Sequence, residues 1–343
     1  MAITREAAGT FHDPLVGPDE TGLPDGFFDR LMFNLHPVDA LAPSLITGFG
    51  IYPGKDTSDG FVVVSDRAEQ RNLRFSTVLG VGGRAGAGPL RVEVVEPNRE
   101  WRLRLAPNEI DVEFDLTWRA RTPAWFGTIA VTNASTQRTS FDHLFQSGRY
   151  QGTLTIDGAG TRVDGWYGQR DRSRGVRTMS GGQGLHIWYQ AQFPEFAVGF
   201  LLVETRTHER LLLEGAIMAE DGTLDPIIDV RHALEFTDGL DLIGGQVEVR
   251  TASGRRHLMH ADAGVGGGYM AGAGYGGHHG ISHGLDHIES DRYPLDGSIS
   301  PRTLDSALTD RLCAFDLDGV AGVGIFEFAL SRSNSYRYQP SLR

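Results

Sequence analysis

The sequence contains almost no cysteine and almost no lysine: among its 343 residues, Cys313 is the only thiol and Lys55 the only primary-amine side chain. A lone thiol excludes an intrachain disulfide, and it excludes zinc or iron–sulfur sites built from several cysteines. Lys55 lies in a polar loop between Gly54 and Asp56, a setting that does not favour a Schiff base. We therefore expect neither a disulfide framework nor Schiff-base chemistry.

Long hydrophobic runs are missing too. Residues 1–20 contain no apolar segment of the kind found in secretory signals, and the longest apolar runs, such as Phe196–Val203, are too short to span a bilayer. The 44 acidic residues outnumber the 32 lysines and arginines, and the net charge of −12 repels nucleic acid and anionic membranes. These features predict a cytoplasmic protein that neither spans a membrane nor binds nucleic acid.

Signatures of nucleotide chemistry are also lacking. The glycine-rich residues 264–277 do not form a G-x-G-x-x-G motif between a strand and a helix, and the sequence has no P-loop. A G-x-S-x-G motif in a strand–turn–helix setting is missing as well. Nicotinamide-dependent and nucleotide-hydrolysing activities are therefore not expected. The functions that stay compatible with the sequence are a reaction without a cofactor and simple ligand binding.

Alternation of apolar and polar residues, by contrast, is abundant. Apolar residues occupy every second position of Val112–Trp118, and the same period of two recurs in many short segments along the chain. The 45 glycines favour turns and bulges between such segments. This pattern predicts an all-β protein whose antiparallel strands close into barrels or sandwiches, because open sheet edges aggregate.

Two segments depart from the strand pattern. Asp25–Asn34, with Asp25 as a candidate N-cap, and the short segment Arg302–Leu308 have the composition of helices. We expect a change of domain near Asp157–Trp166. This boundary divides the chain into an N-terminal β-domain of residues 1–160 and a C-terminal β-domain of residues 161–343.

The string Trp166–Arg177 concentrates two aromatic residues and four arginines around a single acid, Asp171. In one interpretation Asp171 is buried beside Arg170, and Trp166 and Tyr167 line an apolar cavity. In the other, the string is a charged surface turn held by ion pairs. Composition alone leaves both interpretations open.

A second cluster of polar residues contains four histidines, and its members are His278, His279, His283, Asp286, His287 and Glu289. His279, His283 and His287 recur every four residues, but two of them could share a metal ion at that spacing only on a helix, and glycines interrupt the segment. On a strand the three side chains would spread too far for one ion. We therefore expect no metal. Tyr275, His279 and His283 either form hydrogen bonds in a cavity wall or belong to an exposed loop.

Glu327 lies between Phe326 and Phe328 in an alternating strand, so it points to the face opposite the two rings. If the phenylalanine face is the core, Glu327 is exposed. If the strand lines a barrel interior, Glu327 faces the cavity.

The pattern G-x-R-D-x-S-x-G-x-R, here Gly168–Arg177, resembles the hydroxyneurosporene synthase (carotenoid 1,2-hydratase) and AttH-like superfamily. The segments Phe27–Pro37, His279–Glu289 and Gly324–Arg332 agree with the same superfamily. Arg174 is a departure, because relatives usually carry tryptophan at this position. The resemblance implies two lipocalin-like β-domains over the whole chain.

The resemblance further implies a cofactor-independent lyase or hydratase that acts by acid–base chemistry on a hydrophobic terpenoid, polyketide or aromatic molecule between the two domains. Asp171 is then the acid, while Trp166, Tyr167, Arg174 and Tyr275 bind the substrate. An arginine beside Asp171, such as Arg170, would lower the carboxyl pKa and oppose the effect of burial. If the arginine dominates, Asp171 is a base or a structural anion, and His279 or His283 supplies the acid.

Other functions are compatible with the same fold. A non-catalytic lipocalin-like carrier of a hydrophobic ligand needs a cavity with few titratable groups, whereas a lyase, or a cofactor-free isomerase or cyclase, needs several that converge. The oligomeric state stays open, with a homodimer as one option. For an enzyme, we expect Asp171 and at least one of Tyr275, His279 and His283 to border the same pocket.

Overall fold

A computed structural model of the protein describes residues 22–39, 41, 43–82, 85–132, 138–177 and 182–342. Their regular structure is antiparallel β-strand, together with a 3-10 helix at Pro53–Lys55 and a single α-helical turn at Leu79–Gly82. The prediction of an all-β protein is therefore confirmed. Within the described ranges, no helix combines the length and the hydrophobicity that a membrane span requires.

Eleven of the described strands form one curved sheet, the first sheet. They are β1 (Phe27–Leu35), β2 (Ser44–Tyr52), β3 (Thr57–Ser65), β4 (Glu69–Val78), β5 (Leu90–Glu96), β6 (Glu100–Leu105), β7 (Val112–Ala120), β8 (Trp125–Thr132), β9 (Arg138–Ile156), β10 (Ala159–Val176) and β17 (His287–Pro294). Their spatial order is β17-β4-β3-β2-β1-β10-β9-β7-β6-β5, and β8 pairs with the first half of β9. The sheet curls over its own core, since the rings of Phe33 on β1 and Trp101 on β6 lie 5.7 Å apart.

Eight further strands of the described chain close into an antiparallel barrel. They are β11 (Gln183–Gln192), β12 (Phe196–Thr205), β13 (Arg210–Ala219), β14 (Leu224–Phe236), β15 (Leu242–Thr251), β16 (Arg256–Tyr269), β18 (Thr309–Leu317) and β19 (Val320–Leu330). β11 pairs with both β12 and β19, which closes the ring. Inside it, Tyr189 stacks on Phe200 at 4.9 Å and contacts Phe326. Aromatic side chains at alternate strand positions thus fill the barrel.

The barrel packs against one face of the first sheet, and an apolar layer lies between them. Phe28 and Met32 on β1 and Phe61 on β3 contribute from the first sheet, and Trp188 on β11 contributes from the barrel. The intervening β1 residues, such as Phe33, lie in the core of the first sheet. β1 is therefore buried on both faces.

The helix predicted at Asp25–Asn34 is wrong, because most of this segment forms β1. A strand that is buried on both faces reads as a nearly continuous apolar run, which periodicity does not distinguish from a buried helix. The helix predicted at Arg302–Leu308 is wrong as well. Residues 302–305 form turns and bends, and residues 306–308 have no regular structure. The Thr303 hydroxyl donates to the carbonyl oxygen of Ser300 at 3.1 Å.

The limits of the two β-units differ from the predicted ones. β10 pairs with β1 and β9, so the first sheet continues to Val176 and the barrel begins at Gln183. The expected boundary after residue 160 falls at the start of β10, just after the turn that joins β9 to β10. β17, from the second half of the chain, also pairs with β4 in the first sheet. Strand pairing across the chain sets these limits, and the local pattern does not reveal it.

Candidate active site

The β9–β10 hairpin carries the first acid–base cluster. In its register, Asp171 lies opposite Phe145 and Ser173 lies opposite His143. Residues that pair directly point to the same side of a sheet, so Asp171 and His143 share a face. This face is turned towards the barrel, where both side chains line an inter-domain cavity.

His143 is held between two carboxylates from different domains. Its Nε2 is bonded to Oδ2 of Asp171, and its Nδ1 is bonded to Oε1 of Glu214 on β13 of the barrel. Burial of the imidazole opposes its positive charge, but the two carboxylates outweigh this cost and raise the pKa of His143 to about 10. His143 is therefore an imidazolium at neutral pH, and it donates both of its N–H groups.

Asp171 is the member of this cluster that meets the cavity most openly. Its side chain is 13% exposed, against 4% for His143 and 8% for Glu214. Trp125 holds Glu214 in place, because its Nε1 donates to Oε2 at 3.4 Å. Gly127 leaves room for this carboxylate, since a Cβ at Gly127 would lie 1.8 Å from Oε2. A side chain at Gly127 would displace the Glu214 carboxylate. Asp171 is therefore the member of this cluster that a ligand in the cavity would contact, with His143 and Glu214 behind it.

A second cluster lies on the outer face of the barrel. His186 on β11 and Glu327 on β19 are joined by a hydrogen bond of 2.8 Å between Nε2 and Oε1. Phe326 and Phe328 lie in the barrel core, so Glu327 points outward. It is nevertheless buried, because the first sheet covers this face and the carboxylate lines the inter-domain cavity. Neither alternative from the sequence foresaw a covered outer face.

Asp310 completes the second cluster. It lies opposite Glu327 on β18 and is fully buried. Burial, together with the charge of Glu327, raises the pKa of Asp310 well above its usual range. The protonated form of Asp310 is therefore favoured, and a neutral carboxyl can donate a hydrogen bond to the Glu327 carboxylate.

Both clusters border one cavity of about 90 Å³ between the first sheet and the barrel. Phe61 and Trp188 supply apolar walls. Arg30 and Arg177 line this inner cavity and also an adjoining, wider cavity of about 670 Å³. The inner cavity has room for a reacting group, and the wider cavity has room for the body of a small organic molecule.

Two cations lie where these cavities adjoin. The Arg30 guanidinium lies 5.2 Å from the centre of the Tyr275 ring, and that of Arg177 lies 4.3 Å from the centre of the Phe141 ring. Burial alone would lower the pKa of Arg30, but neighbouring tyrosine and aspartate side chains raise it above its usual value. Arg30 therefore supplies a fixed positive charge for an anionic oxygen.

Two of the residues expected at the site meet there. Asp171 and Tyr275 border the inner cavity together, as predicted for the glycine- and histidine-rich segment. His279 lines the adjoining cavity, where its Nδ1 lies 3.3 Å from Oδ1 of Asp59. Burial and the charge of Arg30 lower the pKa of His279 despite Asp59. A neutral His279 is thus oriented by a carboxylate, but it does not line the inner cavity.

Arg170 and Trp166 lie on the other side of the first sheet. The Arg170 guanidinium lies 5.4 Å from the ring centres of both Trp101 and Trp118, and Trp166 packs against the same core. Consecutive residues of a strand point to opposite faces, so Arg170 cannot accompany its neighbour Asp171. The hydrogen-bond partner of Asp171 is His143, and Arg170 is held on the opposite face of the sheet.

The remaining expected residues lie away from the inner cavity. Tyr167 packs against barrel strands beneath Arg121, whose guanidinium lies 4.7 Å from the ring centre. Arg174 lies over Phe27, 5.9 Å from its ring centre, beside a separate surface cavity. His283 stacks on neighbouring histidines of its own segment. The structure does not bring these three side chains to Asp171.

The site residues predicted from the sequence do not include His143, Glu214, His186 or Arg30. A signal for His143 was present, because the Asp157–Gly158 pair is typical of a hairpin turn, and such a turn would fold β9 back along β10. For Glu214 and His186 no local signal exists, since they lie on barrel strands far from Asp171 in the chain.

Comparisons with known proteins were made for the whole chain. A model described as "Family of unknown function (DUF8625)" matches residues 19–336. No curated protein matches. Among solved structures, an AttH candidate from Nitrosomonas europaea has a TM-score of 0.59 at 11% identity, and the match covers 92% of this chain and 99% of that chain.

Two further solved structures are less similar in shape. Kievitone hydratase from Nectria haematococca has a TM-score of 0.45 at 12% identity, covering 93% of this chain and 94% of that chain. CghA, solved with Sch210972, has a TM-score of 0.49 at 11% identity, covering 94% of each chain. The likeness to the AttH candidate shows the fold, and it agrees with the AttH-like resemblance of the sequence.

Proposed function

We propose that this chain, which belongs to the DUF8625 family of unknown function, is a cofactor-independent hydro-lyase that adds water to, or removes it from, a small organic molecule. The observation that carries the proposal is the convergence of two acid–base clusters on one inter-domain cavity. Asp171 belongs to one cluster and His186 to the other. Water elimination needs a base at a carbon and an acid at the leaving oxygen, and two clusters can supply both.

In the elimination direction, Asp171 acts as the base. The carboxylate takes a proton from a carbon next to a carbonyl group, and the electron pair of the broken C–H bond becomes an enolate. The C–O bond then breaks, and the leaving oxygen takes a proton from a ring nitrogen of His186, so that water departs. Hydration is the same sequence reversed.

The supporting residues fit these roles. His143 is charged and donates to Asp171, so it orients the carboxylate and can take part in returning its proton. Glu327 accepts a hydrogen bond from Nε2 of His186 and so fixes the orientation of that ring. These residues are positioning residues, because Asp171 and His186 are the groups proposed to meet the substrate.

The charge at the cavities narrows the substrate class. Arg30 and Arg177 favour an oxygen that becomes anionic during the reaction, such as that of an enolate or a phenolate. Phe61, Trp188 and the ring of Tyr275 offer apolar and aromatic contact. We therefore favour a polyketide or an aromatic molecule with a carbonyl or phenol group over a hydrocarbon terpenoid.

The experiment measures turnover of a panel of β-hydroxy ketones and hydroxylated aromatic ketones, with mass spectrometry to detect gain or loss of water. Asp171→Asn should slow turnover by roughly a hundredfold or more, since a positioned base contributes about that much. Binding of the same compounds should persist. Asp164→Asn is the matched control, because Asp164 is an exposed acid on the same strand, paired with Arg162.

The result has clear alternatives. A compound that binds to the wild-type protein without conversion, and without exchange of its C–H protons in D₂O, would identify a carrier instead. Deuterium exchange without net gain or loss of water would indicate an isomerase or a cyclase. Equal turnover by the Asp171→Asn and Asp164→Asn variants would overturn the assignment of Asp171.

A further inference from the structure

The segment between β16 and β17 folds back onto the edge of the first sheet. There β17 pairs with β4, with His287 opposite Ser76 and Glu289 opposite Arg74. His287 and Glu289 are two residues apart on a strand, so they point to the same face. His278, from the preceding loop, reaches that face, and one ligand atom from each of the three side chains lies within 4.8 Å of the others.

The separations in this group match those of metal ligands. His278 Nδ1 lies 3.4 Å from Oε1 of Glu289, and His287 Nε2 lies 3.6 Å from Oε2. Ligand atoms at about 2.1 Å from a tetrahedral zinc ion are roughly 3.4 Å apart. A divalent ion therefore fits between these side chains with small rotations of the rings.

The histidines are available as ligands. The His278 side chain is only 5% exposed, and its ring nitrogens, like Nε2 of His287, have no partner at full hydrogen-bond geometry within the described part of the chain, although Glu289 lies near both rings. Buried polar atoms normally have a partner, so this group indicates a missing one. The ring of His283 lies 4.7 Å from those of both His278 and His287 and orders them by stacking.

Arg74 orients the carboxylate and does not block it. Its Nε donates to Oε1 of Glu289 at 2.5 Å, which leaves Oε2 for an ion. Its other nitrogens pair with Asp291, with Nη2 at 3.0 Å from Oδ2, so the arginine charge is balanced by a second acid. A carboxylate held by a hydrogen bond on its other oxygen is the usual arrangement around a metal ligand.

We propose that His278, His287 and Glu289 bind a divalent transition-metal ion, with Zn²⁺ as the best chemical match. Two imidazoles and one carboxylate form a known zinc ligand set, and a water molecule would complete it. The ion would join β17 to the loop that also carries Tyr275 and His279, and so brace one wall of the candidate active site. The expectation of no metal rested on the spacing of His279, His283 and His287, and of these only His287 is a proposed ligand.

The test uses the full chain without a histidine tag, freed of metal by a chelator. Isothermal titration with ZnCl₂ should show one equivalent bound, and CoCl₂ should give the visible absorption bands of tetrahedral cobalt. His287→Gln and Glu289→Gln should each weaken zinc binding by at least roughly tenfold. His260→Gln is the control, because His260 is an exposed histidine on β16.

Circular dichroism checks that each variant is folded, and His287→Gln is the safer of the two because Glu289 also pairs with Arg74. Zinc should also raise the melting temperature of the wild-type protein and not that of His287→Gln. Unchanged stoichiometry and affinity in both variants, or no zinc binding by the wild type, would overturn the proposal. Asp171→Asn should bind zinc normally, so this result is separate from the fate of the proposed activity.

Discussion

The two acid–base clusters that face each other across the inner cavity use the same residue types and hold their protons differently. In the first, His143 lies between two carboxylates and is charged. In the second, Glu327 lies between His186 and Asp310, and Asp310 is the group that keeps an extra proton. The group in the middle of each cluster makes the difference. An imidazole between two carboxylates holds the extra proton itself, whereas a carboxylate in the middle favours the proton on the neighbouring carboxyl group.

The two clusters also differ in the strands that supply their residues. The first spans the domain interface, with His143 on β9 and Glu214 on β13, so it forms only when the barrel packs on the first sheet. The second lies on neighbouring strands of the barrel and is set by their register. Damage to the first cluster should therefore affect domain packing, whereas damage to the second should be local.

The largest expected effect is on the free energy of unfolding, when His143 and His186 are each replaced by glutamine in separate variants. His143→Gln leaves two buried carboxylates without their shared cation and should cost about 3–5 kcal/mol of unfolding free energy. His186→Gln keeps a donor for Glu327 and should cost about 1 kcal/mol. Urea unfolding at neutral pH measures the free energy of unfolding of each variant. Equal losses would show that His143 and His186 contribute to stability in the same way.

A second contrast is the dependence of stability on pH. The pKa of His143 is raised in the folded state, so its contribution is fully present below pH 6.5 and is lost as the pH rises through about 10. The pKa of Asp310 is raised too, so its contribution is lost from pH 3.8 upward. Melting temperatures should therefore fall over two windows that overlap, one that starts near pH 3.8 and one that starts near pH 6.5.

Variants separate the two windows. His143→Gln should remove the part of the decline that continues to about pH 10 and keep the part that starts near pH 3.8, and Asp310→Asn should do the opposite. If His143→Gln leaves the alkaline decline intact, His143 is not the imidazolium described above.

The smallest effect concerns a bulge on which only the first cluster depends. Gly165 has a φ of 72°, and the pairing of β10 with β9 shifts by one residue there. Gly165→Ala should cost about 1–2 kcal/mol, because a side chain disfavours this left-handed conformation. Gly54→Ala, at an open position, should change stability by less than about 0.5 kcal/mol in the same thermal unfolding assay. Equal effects of the two would mean that the bulge carries no strain.

The sequence located part of the site for identifiable reasons. Asp171 was a candidate because it is a single acid among arginines, and Tyr275 because glycines around it allow close packing. Arg170 was misplaced, because the segment was treated as a compact string, whereas a strand separates neighbouring residues onto opposite faces. His143 was missed because its position depends on the bulge: without it, His143 would lie opposite Arg172, on the other face from Asp171.

The sequence by itself determined the all-β class, because the alternation of apolar and polar residues is a local property of each strand. It also determined which faces are apolar, as Phe326 and Phe328 on β19 illustrate. The tertiary structure alone decided that the polar outer face of the barrel is covered, so that Glu327 and His186 meet Asp171 and Glu214 reaches His143. The physical reason is that charges and protons respond to neighbours in space, and those neighbours come from strands far apart in the chain.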